Sequence, residues 1–170
     1  MKKLFLTALV AVLGLGYANA QIEKGNSLIS AAVGFGGTYA WGSADTGLPL
    51  SLTYEYAVMD KLTVGAFGNY ATAKYEGAGY DWKWTYFFVG AVGNYHFVNT
   101  EKFDVYAGAR LGYIGVSFDD DDTGLSDPSA GGFGYTVQGG ARYFFIPSLA
   151  VNAEVGYGFS IARVGLTLKL

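Results

Sequence analysis

Five charged residues stand where charge is unexpected. Glu55, Arg110, Arg142, Glu154 and Arg163 each sit near the middle of a segment whose neighbours alternate between apolar residues and small or polar ones. An isolated charge in a confined interior is too costly to keep, so such residues must pair. Two acids and three bases of this kind can form a Glu–Arg network that fills an enclosed space. The same residues could instead line a charged constriction that selects solutes in a pore.

His96 is the only histidine, and a hydrolase would need it as its base. Phe97 and Val98 follow it and no serine lies close by, so a catalytic triad cannot be assembled from its sequence neighbours. No enzymatic activity is expected. The run Asp119, Asp120, Asp121, Asp122, Thr123, Gly124 is similar to the start of a calcium loop, with acidic oxygens at alternate positions and glycine sixth. A calcium loop also needs a bidentate Glu at position twelve, where Ala130 stands. A solvated acidic loop is the expected reading, with Asp119, Asp121 and Asp122 the candidates for any cation contact. No cofactor and no dedicated metal site are expected.

These residues need a scaffold, and composition narrows the choice. Glycine makes up 26 of 170 residues, and there are 14 Tyr, 12 Phe and 3 Trp. Glycine is normally about 7% of a chain, so this is far from the composition of a soluble domain. The chain has no cysteine, which excludes a disulfide framework and thiolate chemistry. Its net charge of −3 gives no electrostatic footprint for nucleic acid.

Residues 1–20 read as a secretory signal peptide. Lys2 and Lys3 precede an uncharged, mostly apolar run over residues 4–16, and Ala18-Asn19-Ala20 supplies a small-x-small cleavage site before Gln21. The apolar run is well short of the roughly 20 residues that a spanning helix needs. Beyond it no stretch approaches that length, so residues 21–170 are expected to be one domain that is not an α-helical membrane protein.

Alternation sets the class. In residues 162–170 every even position is apolar, while the odd positions hold Arg163, Gly165, Thr167 and Lys169. That period of two belongs to a strand with one oily and one polar face. The same pattern carries Leu149 to Tyr157, Phe133 to Phe145, Phe103 to Tyr113, a long segment from about Tyr80 to Phe97, Leu62 to Tyr70, and Leu48 to Tyr56. A first and less regular strand runs from roughly Ser27 to Trp41. The expectation is an all-β chain of eight strands.

Connections alternate in length. Residues 59–60, 99–102 and 146–148 form tight turns, whereas residues 42–47, 74–79 and 119–132 form longer polar or glycine-rich loops. Residues 158–161 make a short fourth loop. Trp41, Tyr80, Trp82, Trp84, Tyr113 and Phe118 gather towards the loop ends of strands, and Tyr54, Tyr56, Tyr95, Phe97, Phe103, Tyr143 and Phe145 towards the turn ends. Two aromatic belts of this kind mark the interfaces of a membrane barrel. The fold expected is an eight-stranded antiparallel up-and-down transmembrane β-barrel, whose interior is just wide enough for side chains to fill.

With those features the chain resembles the small OmpA/OmpX-type eight-stranded outer-membrane β-barrel proteins over residues 21–170. The alternating C-terminal residues 164–170 are similar to the signal read by the barrel-assembly machinery, although Leu170 stands where Phe or Trp is usual. The resemblance implies a bacterial outer-membrane location with both termini periplasmic. It also implies contact with outer-membrane lipids, insertion by the assembly machinery, and a monomer. Some eight-stranded barrels act on lipid A through His and Ser at the outer surface, but His96 falls beside a turn at the opposite end. The function expected is a structural or surface-interaction role, with the interior plugged by the Glu/Arg network and any extracellular ligand unspecified. The alternative is a small channel for small or hydrophobic solutes, of the OmpW-like kind. No linker follows Leu170, so peptidoglycan anchoring of the OmpA type is not expected.

Overall fold

The computed structural model describes residues 21–37, 45–77, 80–120 and 126–170. Residues 1–20, which carry the expected signal peptide, lie outside the described residues, as do Trp41, Asp121 and Asp122.

Eight strands close into a barrel: β1 (Ser27–Phe35), β2 (Leu50–Met59), β3 (Leu62–Gly77), β4 (Tyr80–Asn99), β5 (Phe103–Asp120), β6 (Ser126–Ile146), β7 (Leu149–Tyr157) and β8 (Ala162–Lys169). Each pairs antiparallel with its neighbours in sequence, and β8 pairs with β1 to complete the ring. A two-residue strand, Asp45–Thr46, continues the ladder along β3 beyond the start of β2. Closure leaves the ring without an edge strand, although β3 and β6 run on past their shorter neighbours β2 and β7.

The tight turns lie at one end of the barrel, where Met59 and Leu62 face each other and Thr100 N donates to Phe103 O at 2.9 Å. At the other end two expected loops are shorter than the residue types suggest. β3 and β4 stay paired as far as Gly77 opposite Tyr80, so most of residues 74–79 is strand. β5 and β6 pair out to Asp119 opposite Ser126, which turns most of the expected 119–132 loop into ladder. Backbone pairing across a hairpin propagates past polar and glycine residues, because the ladder bonds ask nothing of the side chain. The first strand is shorter than expected, ending at Phe35.

The period of two governs what each face meets. Leu52, Tyr135, Val155, Val164 and Leu166 are at least half exposed on the outside, while the alternate residues Thr53, Thr136, Glu154, Arg163 and Thr167 are buried inside. A soluble protein has the opposite arrangement, since charged residues are seldom buried and broad apolar surface is seldom left bare. All seven residues of the expected turn-end belt, Tyr54, Tyr56, Tyr95, Phe97, Phe103, Tyr143 and Phe145, are exposed outward. Trp84 does not fit the loop-end belt. It falls on the inward register of β4, with Phe88 and Val92, so its ring belongs to the lumen side. A bulge between His96 and Val98 leaves Phe97 and Val98 both outside while His96 stays inside, an extra residue absorbed by a local bend.

Glycine sets how closely strands approach. Gly90 and Gly112 face each other across β4 and β5, and a Cβ on either would sit about 2 Å from the opposing strand's carbonyl oxygen (2.1 and 2.0 Å). We therefore expect Gly112→Val to prevent barrel closure. The check is heat-modifiable migration on a gel: the variant should run as an unfolded chain without heating, whereas the native protein runs as a compact species.

Candidate functional site

The inward residues sort into three layers, and the middle one holds the charge apart from Lys169, which lies at the turn end. It is built around Arg142 on β6, whose Nη1 donates to Asp104 Oδ2 at 2.9 Å and whose Nη2 donates to Glu55 Oε1 at 2.5 Å. Asp104 lies directly opposite Arg142 on β5, and Glu55 reaches it across the lumen from β2.

The two acceptors are joined by a second route. Thr63 Oγ1 donates to Glu55 Oε2 at 2.7 Å, and the same oxygen lies 3.1 Å from His96 Nε2. His96 Nδ1 is 2.6 Å from Asp104 Oδ1. The result is a closed circuit, Arg142–Glu55–Thr63–His96–Asp104, drawn from five consecutive strands, β2 to β6. The His96 ring thus stands between Thr63 and Asp104, with one nitrogen on each.

A second cluster stands above it towards the loop end. Glu154 on β7 accepts from Arg110 Nη1 at 2.7 Å and Nη2 at 3.2 Å, a bidentate fork. Arg163, opposite Glu154 on β8, makes an ion pair with the same carboxylate. Tyr106 links the clusters: its hydroxyl donates to Glu154 Oε2 at 3.2 Å, and the Arg142 guanidinium lies 4.2 Å from its ring centroid. Ser30, Thr167 and Asn152 tie β1, β8 and β7 together through hydroxyl and amide bonds of 2.8 and 3.0 Å.

The structure thus places Glu55, Arg110, Arg142, Glu154 and Arg163 in the lumen and brings all five into two connected clusters. The void that remains between them is about 10 Å³, lined in part by Glu55, Arg110, Arg142, Glu154 and Arg163. That is room for roughly one water molecule. Of the three candidate cation contacts, Asp119 stands in the ladder opposite Ser126, and Asp121 and Asp122 lie outside the described residues. Among the described residues no three His, Cys, Asp or Glu are gathered to hold a metal ion.

Sequence reasoning left out four members of the middle layer. His96, Thr63, Asp104 and Tyr106 are all buried and all lie on the inward register, so the period of two was the signal that could have found them. It also left out the layers on either side. Towards the loop end the lumen is capped by Phe67, Ala71, Phe88, Val92 and Phe159, with Phe88 4.6 Å from Phe67 and 6.3 Å from Phe159 between ring centroids. Towards the turn end it is floored by Ile22, Leu28, Ala57, Phe144 and Ala150. The interior is therefore not a column of charge pairs alone, but a polar layer between two apolar ones.

No protein-family model and no curated protein matches the chain. Solved structures do. The outer membrane protein OprG from Pseudomonas aeruginosa aligns with a TM-score of 0.60 at 16% identity, covering 89% of this chain and 98% of that one. Neisserial surface protein A aligns at 0.54 and 18% identity over 85% and 95%. Ail of Yersinia pestis, solved in complex with the heparin analogue sucrose octasulfate, aligns at 0.51 and 18% identity over 86% and 96%. The fold is that of the small outer-membrane barrels.

Removing one partner of a buried ion pair strands the other, at a cost of about 3–5 kcal/mol. Arg142→Ala strands both Glu55 and Asp104, so it should lose at least that much stability in urea unfolding from lipid vesicles. Ser30→Ala removes a neutral hydroxyl pair and should lose only about 1 kcal/mol.

Proposed function

We propose that this protein is a closed barrel of the bacterial outer membrane, with a structural or surface-presenting role rather than a conducting one. The carrying observation is the inversion of polarity around a filled lumen: apolar residues on the outside, charges paired within, and about 10 Å³ left between them. The outside suits acyl chains. An ion crossing the inside would have to displace the charge-assisted bonds of both clusters.

In this reading the tight-turn end and both termini face the periplasm, and the end at which β3 to β6 run on past the other strands faces outward. Outer-membrane lipids are the main partners. The barrel-assembly machinery would insert the chain as a monomer, reading the alternating strand β8. Catalysis has no place in it: Thr63, His96 and Asp104 have the residue types of a triad, yet the hydroxyl donates to Glu55 and all three are buried away from any substrate.

Two measurements test the proposal. Leu166→Arg places a charge on the outward face, and should cost about 2–4 kcal/mol of stability in vesicles if that face meets the bilayer midplane. No loss would remove the membrane assignment. In planar bilayers the native protein should give no unitary current steps. Discrete openings in the native protein would end the closed-barrel reading.

A further inference from the structure

The lumen has a second closure, at its turn end, built around an apolar side chain. Residues 21–26 do not run straight away from β1 but fold back beneath the barrel. Gly25, at φ 98°, turns the chain in a conformation that other residues rarely adopt. Asn26 N donates to Glu23 O at 3.0 Å, and Glu23 N donates to Asn26 Oδ1 at 2.8 Å, which fixes the reversal. The consequence is that Ile22 points up into the turn-end mouth. It is fully buried there, against Leu28, Ala57, Phe144 and Ala150.

The segment is held from three sides. Asn99, at the end of β4, grips the Ile22 backbone with a reciprocal pair: Ile22 N donates to Asn99 Oδ1 at 2.9 Å, and Asn99 Nδ2 donates to Ile22 O at 2.6 Å. Asp60, in the β2–β3 turn, accepts from Lys24 N through Oδ1 at 3.0 Å, and its own carbonyl accepts from Asn99 Nδ2 at 2.9 Å. Lys169 on β8 donates from Nζ to the Gln21 carbonyl at 3.1 Å. A passing tail would need neither a buried branched side chain nor an amide fork at its backbone.

We propose that residues 21–26 are a stopper, with Ile22 as its plug, that seals the turn-end mouth and keeps water from the buried circuit of Arg142, Glu55, Thr63, His96 and Asp104. Gly25 and Asn26 are pinned by a backbone pair with Ala57 of β2, at 2.9 Å each way, but residues 21–24 are held only by the Ile22 side chain and hydrogen bonds from the rim, so they can leave the mouth with that pair and every strand intact. The proposal deepens the closed-barrel reading and rests on it, because a stopper matters only where the lumen is otherwise shut.

The chain has no cysteine, so single cysteines report access without background. Ala150→Cys lies in the floor and Ala71→Cys in the cap, both buried in the native lumen. Each is placed in the full chain, folded in lipid nanodiscs, and exposed to a small charged methanethiosulfonate reagent. Native residues at 22 and 99 should leave position 150 protected. Ile22→Gly with Asn99→Ala should raise its labelling rate at least tenfold, while heat-modifiable migration shows the barrel still folded. Should that double variant not fold, Ile22→Ala keeps the backbone bonds and should give a smaller rise. A rise at 150 without one at 71 supports both the stopper and the closed lumen above it. A rise at both supports the stopper and overturns the closed lumen. No rise at 150, or rapid labelling there in the native chain, overturns the stopper.

Discussion

Everything inside this barrel answers to one constraint: a guanidinium buried where water cannot reach it must find its partners within a space one side chain wide. Arg142 meets that constraint by spreading one charge over two carboxylates, on strands that are not neighbours. Lysine could not do the same, because a point ammonium lacks the planar fork that fits two acceptors at a fixed angle. The acids in turn need hydrogen to satisfy their remaining lone pairs, and Thr63 and His96 bring it from the intervening strands. The requirement of one residue thus fixes the identity of four others. A layer of this kind is weak evidence for net stability, because desolvation offsets much of the attraction. What it does secure is register. A one-residue slip of β6 would turn Arg142 to the outside and Tyr143 to the inside, and no partner waits for either.

The apolar layers act on the same chemistry from above and below. Phe67, Phe88 and Phe159 close over the charges at one end, and Ile22 with Leu28 and Phe144 closes beneath them at the other. Excluding water strengthens each charge-assisted bond, and equally raises the cost of leaving one unmade. Cation–π contacts join the layers: Arg110 stands 5.5 Å from the Phe67 ring and Lys169 5.9 Å from the Phe144 ring. Charge and apolar filling are therefore not alternative ways to occupy the lumen. Each is placed where it makes the other less costly.

The barrel itself was legible because its code is local. Period two, tight turns and aromatic belts each need only a few adjacent residues, and together they give the strand number and which residues face inward. The Glu154–Arg163 pair was almost legible too, since the short connection at residues 158–161 leaves little freedom in how β7 and β8 align. The Asp104–Arg142 pair was not, because nothing in the intervening stretch announces that strand pairing runs on through residues that look like loop. The Glu55–Arg142 bond crosses the lumen between strands four places apart, so it depends on the closed shape rather than on any hairpin. His96 was set aside for want of a serine beside it in sequence. Its actual partners, Thr63 and Asp104, stand on the two flanking strands. Ile22 carried no signal at all, since a single apolar residue before a strand looks the same whether it folds under or trails away.

The three layers also bear on what such a barrel can do. A lumen closed by charge alone could open by exchanging partners, because Arg142 has two acceptors and Glu154 has three donors, and both sets lie within reach of rearrangement. An exchange of that kind would still leave the aromatic cap on one side and the Ile22 floor on the other. Apolar contacts do not respond to a redistribution of charge, so a shift in the middle layer alone leaves both apolar layers in place. Under the closed-barrel proposal, the surfaces that act are the outward face and the loop end, and the interior serves them by holding eight strands in a single register.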